Sequence, residues 1–166
     1  MAVKLLVYKI DDSNSLHQNL NTSLLSQFTL SITKPGLFGL TKFGQGFFVN
    51  LYWFLVSYGQ FEILQLHDSV NVVHYSYISP KVYRFPFMNK GDIQIGPCFT
   101  YKNYQKRGIY TYVLQYLISH YYKDGRKLWI YCNENNDASR KTIEKVGFKK
   151  QGFATINKLT KVIQLK

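Results

Sequence analysis

The stretch with the clearest chemical meaning reads DIQIGPCFT, then YKNYQKRG, then IYTYVLQYLI, a strand, a basic loop and a helix. The loop delivers Gln105, Lys106, Arg107 and Gly108 to the point where the helix begins. Glycine lets the backbone come close to a ligand. The unpaired N–H groups and the dipole of a helix N-terminus favour an anion there. Lys106 and Arg107 add formal positive charge. These features together describe a cradle for a pyrophosphate; a solvated basic turn before an ordinary helix fits the same letters. The loop is not a Walker loop, because the spaced glycines and the Lys-Ser/Thr end are absent. Nor does it carry the three glycines of the dinucleotide fingerprint.

Groups able to move a proton are few. His74 stands mid-strand in VVHYSYI and has a pKa range suited to a general base. A histidine hydrogen-bonded within the sheet is the plainer reading. Asp92 shares a strand face with Gln94 and reads as a base or as an ordinary strand-entry carboxylate. Cys98 reads as strand filler more readily than as a nucleophile, and Cys132 as core. No His, Cys or carboxylate cluster has metal-ligand spacing, so no metal is expected. Just before the Asp92 strand lie Tyr83, Arg84, Phe85, Phe87 and Met88. Tyr83, Arg84 and Phe87 are the candidate acceptor-binding residues, since aromatic faces beside a cation suit a stacked base and a paired phosphate. Packing of this loop onto the sheet edge is the competing reading.

The elements that must position these groups follow from periodicity. Lys4 to Ile10 reads as a strand, and Leu16, Leu20, Leu24 and Leu25 recur at helical spacing to about Gln27. Lys34 to Gln45 reads as loop with a short helix, and Gly46 to Tyr58 is ambiguous between helix and strand. Phe61 to Leu66 and Asn71 to Ile78 read as a hairpin turning at His67-Asp68-Ser69. Gly96-Pro97 within the Asp92 to Thr100 strand predicts a bulge or an incompletely paired edge. Ile109 to Tyr122 is an amphipathic helix and Lys127 to Cys132 a strand. Asn136 to Val146 is a helix closed by Gly147, and two final strands follow.

The chain has 166 residues, and 46 % of them are hydrophobic. That is the size of one domain, residues 1–166, with a real core and no composition of disorder. Twenty-one Lys and Arg against nine Asp and Glu give a net charge of +12, which predicts an anionic partner. Two cysteines exclude a disulfide framework and fit, weakly, a reducing compartment. The most apolar run, GFFVNLYWFLVSY, is shorter than the ~20 residues a spanning helix needs. The N-terminus lacks a signal-peptide pattern. A cytoplasmic protein is the expectation.

A second stretch, NENNDASRKTIEKVGF, puts Asn136 and Ser139 at a helix start and Gly147-Phe148 at its end. With it, the chain resembles the GNAT superfamily of acetyl-CoA-dependent N-acetyltransferases. The family's acyl-CoA signature is Gln/Arg-x-x-Gly-x-Gly/Ala at a strand-to-helix turn, followed by an Asn-x-x-Ala/Ser helix ending in Gly-Phe. Here these read Gln105-Lys106-Arg107-Gly108-Ile109-Tyr110, and Asn136-Asp137-Ala138-Ser139 with Gly147-Phe148. The likeness covers residues 92–153; the N-terminal third carries no matching motif. It implies an α/β (α+β) fold, with a mixed, mostly antiparallel sheet of about six or seven strands flanked by helices. That sheet would be splayed between the strands at 92–100 and 127–132. It implies acetyl-CoA as co-substrate, with Cys98, Phe99 and Thr100 beside the pantetheine. Gln105, Lys106, Arg107, Gly108, Ile109 and Tyr110 would lie at the pyrophosphate, and Asn136 and Ser139 on the far wall.

Three positions depart from the family pattern. Tyr110 stands where the last Gly/Ala belongs. Ile143 replaces the tyrosine that serves many relatives as general acid, and Gln94 the glutamate that often serves as base. The expected base therefore falls to His74 or Asp92. HYSYISPK, FPFM and the Asp92 strand also resemble GNAT-type proteins of bacterial surface-polysaccharide pathways, which implies a nucleotide-linked amino sugar as acceptor. The rivals are a peptide or protein amine, a CoA-binding protein without catalysis, and a nucleic-acid-binding module. No RNP, KH or helix-turn-helix pattern supports the last. A homodimer is compatible with the resemblance.

Overall fold

The structure is a computed structural model and describes residues 4–11, 27–41 and 45–166. The helix expected across 16–27 falls almost wholly outside them. In chain order the elements are β1 (Lys4–Ile10), β2 (Thr29–Thr33), α1 (Phe47–Val56), β3 (Glu62–His67), β4 (Val72–Pro80) and β5 (Ile93–Thr100). Then come α2 (Ile109–Tyr121), β6 (Leu128–Asn133), α3 (Asp137–Lys145), β7 (Lys149–Ile156) and β8 (Ile163–Leu165).

The described strands form one sheet of eight, ordered β2-β3-β4-β5-β6-β1-β7-β8. All neighbours are antiparallel except β5 and β6. The sheet is thus wider than expected from sequence, because β2 was not anticipated. It is a five-residue edge strand of half-buried or exposed residues, with only Leu30 and Ile32 turned to the core. The first strand of the chain sits deep in the sheet, between β6 and β7.

Alternation on β1 explains the layering. Leu6, Tyr8 and Ile10 enter one core with Val113, Leu117 and Ile143 of α2 and α3. Leu5 and Val7 enter the other, with Trp53 of α1 and with Phe85 and Met88 of the 81–92 loop. Helices therefore cover both faces, as period-two burial on both sides demands. The ambiguous run at 46–58 is helical, and Asn50, which interrupts it, is a buried tie. Its Nδ2 donates to Leu40 O (2.6 Å), and its Oδ1 accepts from the Tyr77 hydroxyl (2.7 Å).

Candidate active site

The parallel ladder between β5 and β6 holds only three residue pairs, Ile93↔Leu128, Gln94↔Trp129 and Ile95↔Ile130. Beyond Ile95 the two strands part. β5 follows β4, pairing Cys98 with Ser76, Phe99 with Tyr75 and Thr100 with His74. β6 follows β1, pairing Tyr131 with Val7 and Cys132 with Leu6. The register of β5 against β4 shifts by one residue at Gly96-Pro97, and Gly96 sits at φ +114°. This bulge, foreseen in the sequence, turns β5 away from β6.

The loop at the end of β5 is tied down from both sides. The Tyr104 hydroxyl donates to the Asp68 carboxylate, which also accepts the Val70 and Asn71 amides in the β3–β4 turn. These bonds hold the Asp68 pKa below the usual carboxylate range. Gln105 Nε2 donates to Thr100 O (3.0 Å). Lys106 and Gly108 then adopt left-handed conformations, φ +62° and +79°. The first helical bond of α2 runs from Tyr112 N–H to Gly108 O (3.0 Å), so the amides of Ile109, Tyr110 and Thr111 precede it. The helix opens with neither an acidic residue nor a side-chain cap, which leaves these donors to an incoming anion. The Asn136 side chain caps α3 by accepting from Ser139 N (3.1 Å).

Between β5, α2 and α3 lies a cavity of about 540 Å³. Cys98, Phe99, Thr100, Gln105, Lys106, Gly108, Ile109, Tyr110, Asn136 and Ser139 all line it. Arg107 does not; its guanidinium stacks on the Tyr104 ring at 5.3 Å. Sequence reasoning missed Thr111 and Thr142 of the same wall, which no motif marks. A second cavity of about 210 Å³ opens in the splay itself, bounded by Gly96, Pro97, Cys98, Tyr131 and Cys132. Cys98, Tyr110, Asn136 and Ser139 border both. Tyr110 reaches across from α2, with its hydroxyl 3.4 Å from Ser139 Oγ. Burial and the neighbouring Cys98 thiol push its pKa well above the ordinary tyrosine value.

The two expected bases are committed elsewhere. Asp92 lies before the splay, and its carboxylate accepts from Asn89 N (2.9 Å), Lys127 N (3.1 Å) and Trp129 Nε1 (2.8 Å). It clamps the start of β5 to β6 and faces neither cavity. His74 is fully buried, its Nδ1 2.7 Å from Thr100 Oγ1 and its Nε2 2.8 Å from Ser76 Oγ. Burial pushes its pKa down to about 3, so it is neutral and holds no free lone pair toward solvent. Its ring stacks on Tyr110 at 6.0 Å, which makes it a support for that side chain. Burial likewise pushes the Cys98 thiol up to about 11, against a nucleophilic thiolate. Gln94 is buried and bonded to Ile95 O (2.7 Å), and Ile143 is core. Among the described residues no cluster can hold a metal ion.

The candidate acceptor loop is divided. Phe85 and Met88 are buried, and Phe87 packs on Trp129 at 5.0 Å. Those three pack onto the face of the sheet over its central strands, not onto its edge as the competing reading had it. Tyr83 is exposed, and Arg84 remains half-buried on the α1 side of the sheet.

Residues 75–148 match the model of the acetyltransferase (GNAT) family. No curated protein matches in sequence. Among solved structures, a GNAT-family acetyltransferase from Colwellia psychrerythraea superposes with a TM-score of 0.62 at 15 % identity, over 89 % of this chain and 53 % of that one. A conserved protein of unknown function from Staphylococcus epidermidis gives 0.61 at 15 % identity, over 92 % and 60 %. The ribosomal-protein-S18-alanine N-acetyltransferase of Escherichia coli gives 0.51 at 15 %, over 74 % and 79 %. The chain spans 60 % and 53 % of the first two of these structures. The fold is that of the GNAT acetyltransferases, and the segment building the splay and the cradle is the one that matches that family's model. Among the described residues no helix is long and apolar enough to cross a membrane.

Acetyl-CoA, which the fold implies, fits these residues. The uncommitted amides and Lys106 suit its anionic end, and the splay beyond Ile95 and Ile130 suits its arm.

Proposed function

We propose that the chain transfers an acetyl group from acetyl-CoA to a primary amine. The observation that carries this reading is the junction of two features. A parallel ladder opens after three pairs, and an amide cradle lies at the helix that follows. Bound there, acetyl-CoA supplies an acyl group activated as a thioester. The amides of Ile109, Tyr110 and Thr111 and the Lys106 ammonium bind its phosphates. Gln105 fixes the loop through Thr100, and Asn136 orders the opposite wall. The Tyr110 hydroxyl holds its proton at neutral pH in the gap between β5 and α3. It is therefore the group placed to give a proton there, a role Ile143 cannot fill. Only a neutral amine attacks a thioester. With Asp92 and His74 both committed, the proton of the amine leaves to solvent.

The acceptor enters on the α1 side, where Tyr83 offers an exposed ring and Arg84 a cation. These features support an amino sugar carried on a nucleotide. The test is calorimetry with acetyl-CoA, joined to a thiol-release assay over nucleotide-linked amino sugars, free amino sugars and peptides. Saturable binding and turnover confined to the sugars support the reading. Turnover confined to peptides would move the acceptor to a protein amine. Absence of acetyl-CoA binding at millimolar concentration would overturn acetyl transfer altogether.

A further inference from the structure

Three buried side-chain polar atoms among the described residues lack a hydrogen-bond partner: Tyr52 Oη, Arg84 Nε and Arg140 Nε. Arg140 has a compensating partner, since its Nη1 pairs with Asp137 at 3.0 Å. The other two lie together. The Tyr52 hydroxyl on α1 lies beside the Tyr83 hydroxyl and the Arg84 guanidinium and interacts with both, and Tyr52 Oη and Arg84 Nε still lack a hydrogen bond of full geometry. No carboxylate among the described residues lies within ion-pair distance of Arg84. A covered guanidinium N–H without a counter-ion is unfavourable unless something else accepts it.

The surroundings hold Arg84 in place. Its backbone carbonyl accepts from Ile163 N (2.9 Å), and its guanidinium lies over Phe85 at 5.9 Å. Phe85 in turn rests on the Tyr131 ring at 6.0 Å. Tyr131 bounds the splay cavity together with Cys98, and it interacts with Cys98 on one side and Arg84 on the other. Through Phe85 and Tyr131 the surroundings of the cation thus connect to the chamber where acetyl transfer is proposed.

We propose that Arg84, with the Tyr52 hydroxyl, is an oxyanion-binding subsite for the acceptor. The acceptor is then a small amine that carries a phosphate or carboxylate a few bonds from its nitrogen. The guanidinium fork and the phenol supply donors in the arrangement such a group accepts. This rests on the acceptor entering from the α1 side, as read above. An anion so close to the amine also orients it toward the thioester, a handle that an acceptor without an anionic group lacks.

The test uses the full chain and matched pairs: glucosamine 1-phosphate against glucosamine, and alanine against alaninamide. Calorimetry measures binding without turnover, and thiol release measures turnover. The parent should favour the anionic member of at least one pair by about 10- to 100-fold, the range of a charge-assisted hydrogen bond. The pair that shows it identifies phosphate or carboxylate. Arg84→Ala should abolish the preference, Arg84→Lys should restore part of it, and Tyr52→Phe should reduce it by about 2- to 10-fold. Acetyl-CoA affinity should stay unchanged in all three, and circular dichroism confirms their folding. Equal binding of both members by the parent, or equal loss of both in Arg84→Ala and Arg84→Lys, overturns the proposal. Anion-selective binding without turnover of any amine would leave the subsite standing and refute acetyl transfer instead.

Discussion

Asp92 separates two accounts of this fold, and its substitution gives opposite results under each. As a base it would touch the reacting amine. As a clamp it holds three N–H donors at the foot of the splay, one of them the buried Trp129 indole. Asp92→Ala strands that indole and frees two part-buried amides that water then solvates in part. A hydrogen bond to a charged group is worth about 1.5–3 kcal/mol, and the solvated amides retain much of theirs, so the total loss is about 3–4 kcal/mol. For a domain of this size each kcal/mol moves the Tm by about 2–4 °C, which predicts a fall of about 6–16 °C. Asp92→Asn keeps the shape but turns an NH₂ toward a donor, and should cost about 2–3 kcal/mol. Urea unfolding followed by tryptophan fluorescence reads the loss directly, because Trp129 is itself a partner. Thiol release at low temperature, per folded molecule, should stay within about threefold of the parent. A base would instead lose about 10²–10⁴-fold. A hundredfold fall in kcat with unfolding shifted by less than about 1 kcal/mol would refute the clamp.

Three further outcomes follow from the site. His74 has a folded pKa of about 3 against an unfolded value of 6.5. Its stabilising neutral form is therefore fully present above pH 6.5, and stability drains away as pH falls toward 3, by up to about 1.4 kcal/mol per unit. His74→Gln should flatten that slope in acid unfolding, and an unchanged slope would mean the buried imidazole is not its source. Gly108→Val places a β-branched residue at φ +79°, which costs about 1–3 kcal/mol and spoils the amide cradle. Calorimetry should show acetyl-CoA affinity reduced by about tenfold or more, and parental affinity would move the anion site elsewhere. Tyr110→Phe should lower kcat by about 10²-fold at parental acetyl-CoA affinity; an unaltered kcat would show that the hydroxyl gives no proton.

The second half of the fold was readable because each decisive step there is local. A basic glycine-bearing loop before a 3.6-period helix, and Asn136 three residues before the amide it caps, need nothing from elsewhere in the chain. The bulge was equally local, since Gly96-Pro97 cannot continue an ordinary ladder. What escaped detection was non-local. Nothing within KLLVYKI tells that it will lie between β6 and β7, because both faces of many strands are apolar. β2 escaped because it is a five-residue edge strand with only Leu30 and Ile32 apolar, a run too short to stand out beside the loop that follows it. Asp92 and His74 misled for a related reason. A carboxylate or imidazole advertises its chemistry in the sequence, whereas most of the partners that occupy it, Lys127 N, Trp129 Nε1 and Thr100 Oγ1, come from elsewhere in the chain, with Ser76 Oγ alone two residues along the same strand as His74. Arg84 stood out for its charge alone; its orphaned Nε is visible only once Tyr52 and Tyr131 are brought beside it.

Tyr110 and Ile143, two departures from the family pattern, become one feature in three dimensions. Ser139 and Ile143 are four residues apart on α3 and so share a face. That face meets α2, where Tyr110 extends its hydroxyl to Ser139 and borders both cavities. A tyrosine at 143 would need room on the same side of α3, and Ile143 already has none, being fully enclosed in the core. The ring of Tyr110 packs against the same core as Ile143, and in the reading proposed above its hydroxyl supplies the proton donor that Ile143 cannot. His74 completes the arrangement from below. Its ring lies on that of Tyr110, and its two nitrogens are spent on Thr100 and Ser76, the residues flanking Cys98 along and across the ladder. A histidine held neutral is the right support here, since an imidazolium beneath the phenol would favour its ionised form and empty it of the proton it is placed to give.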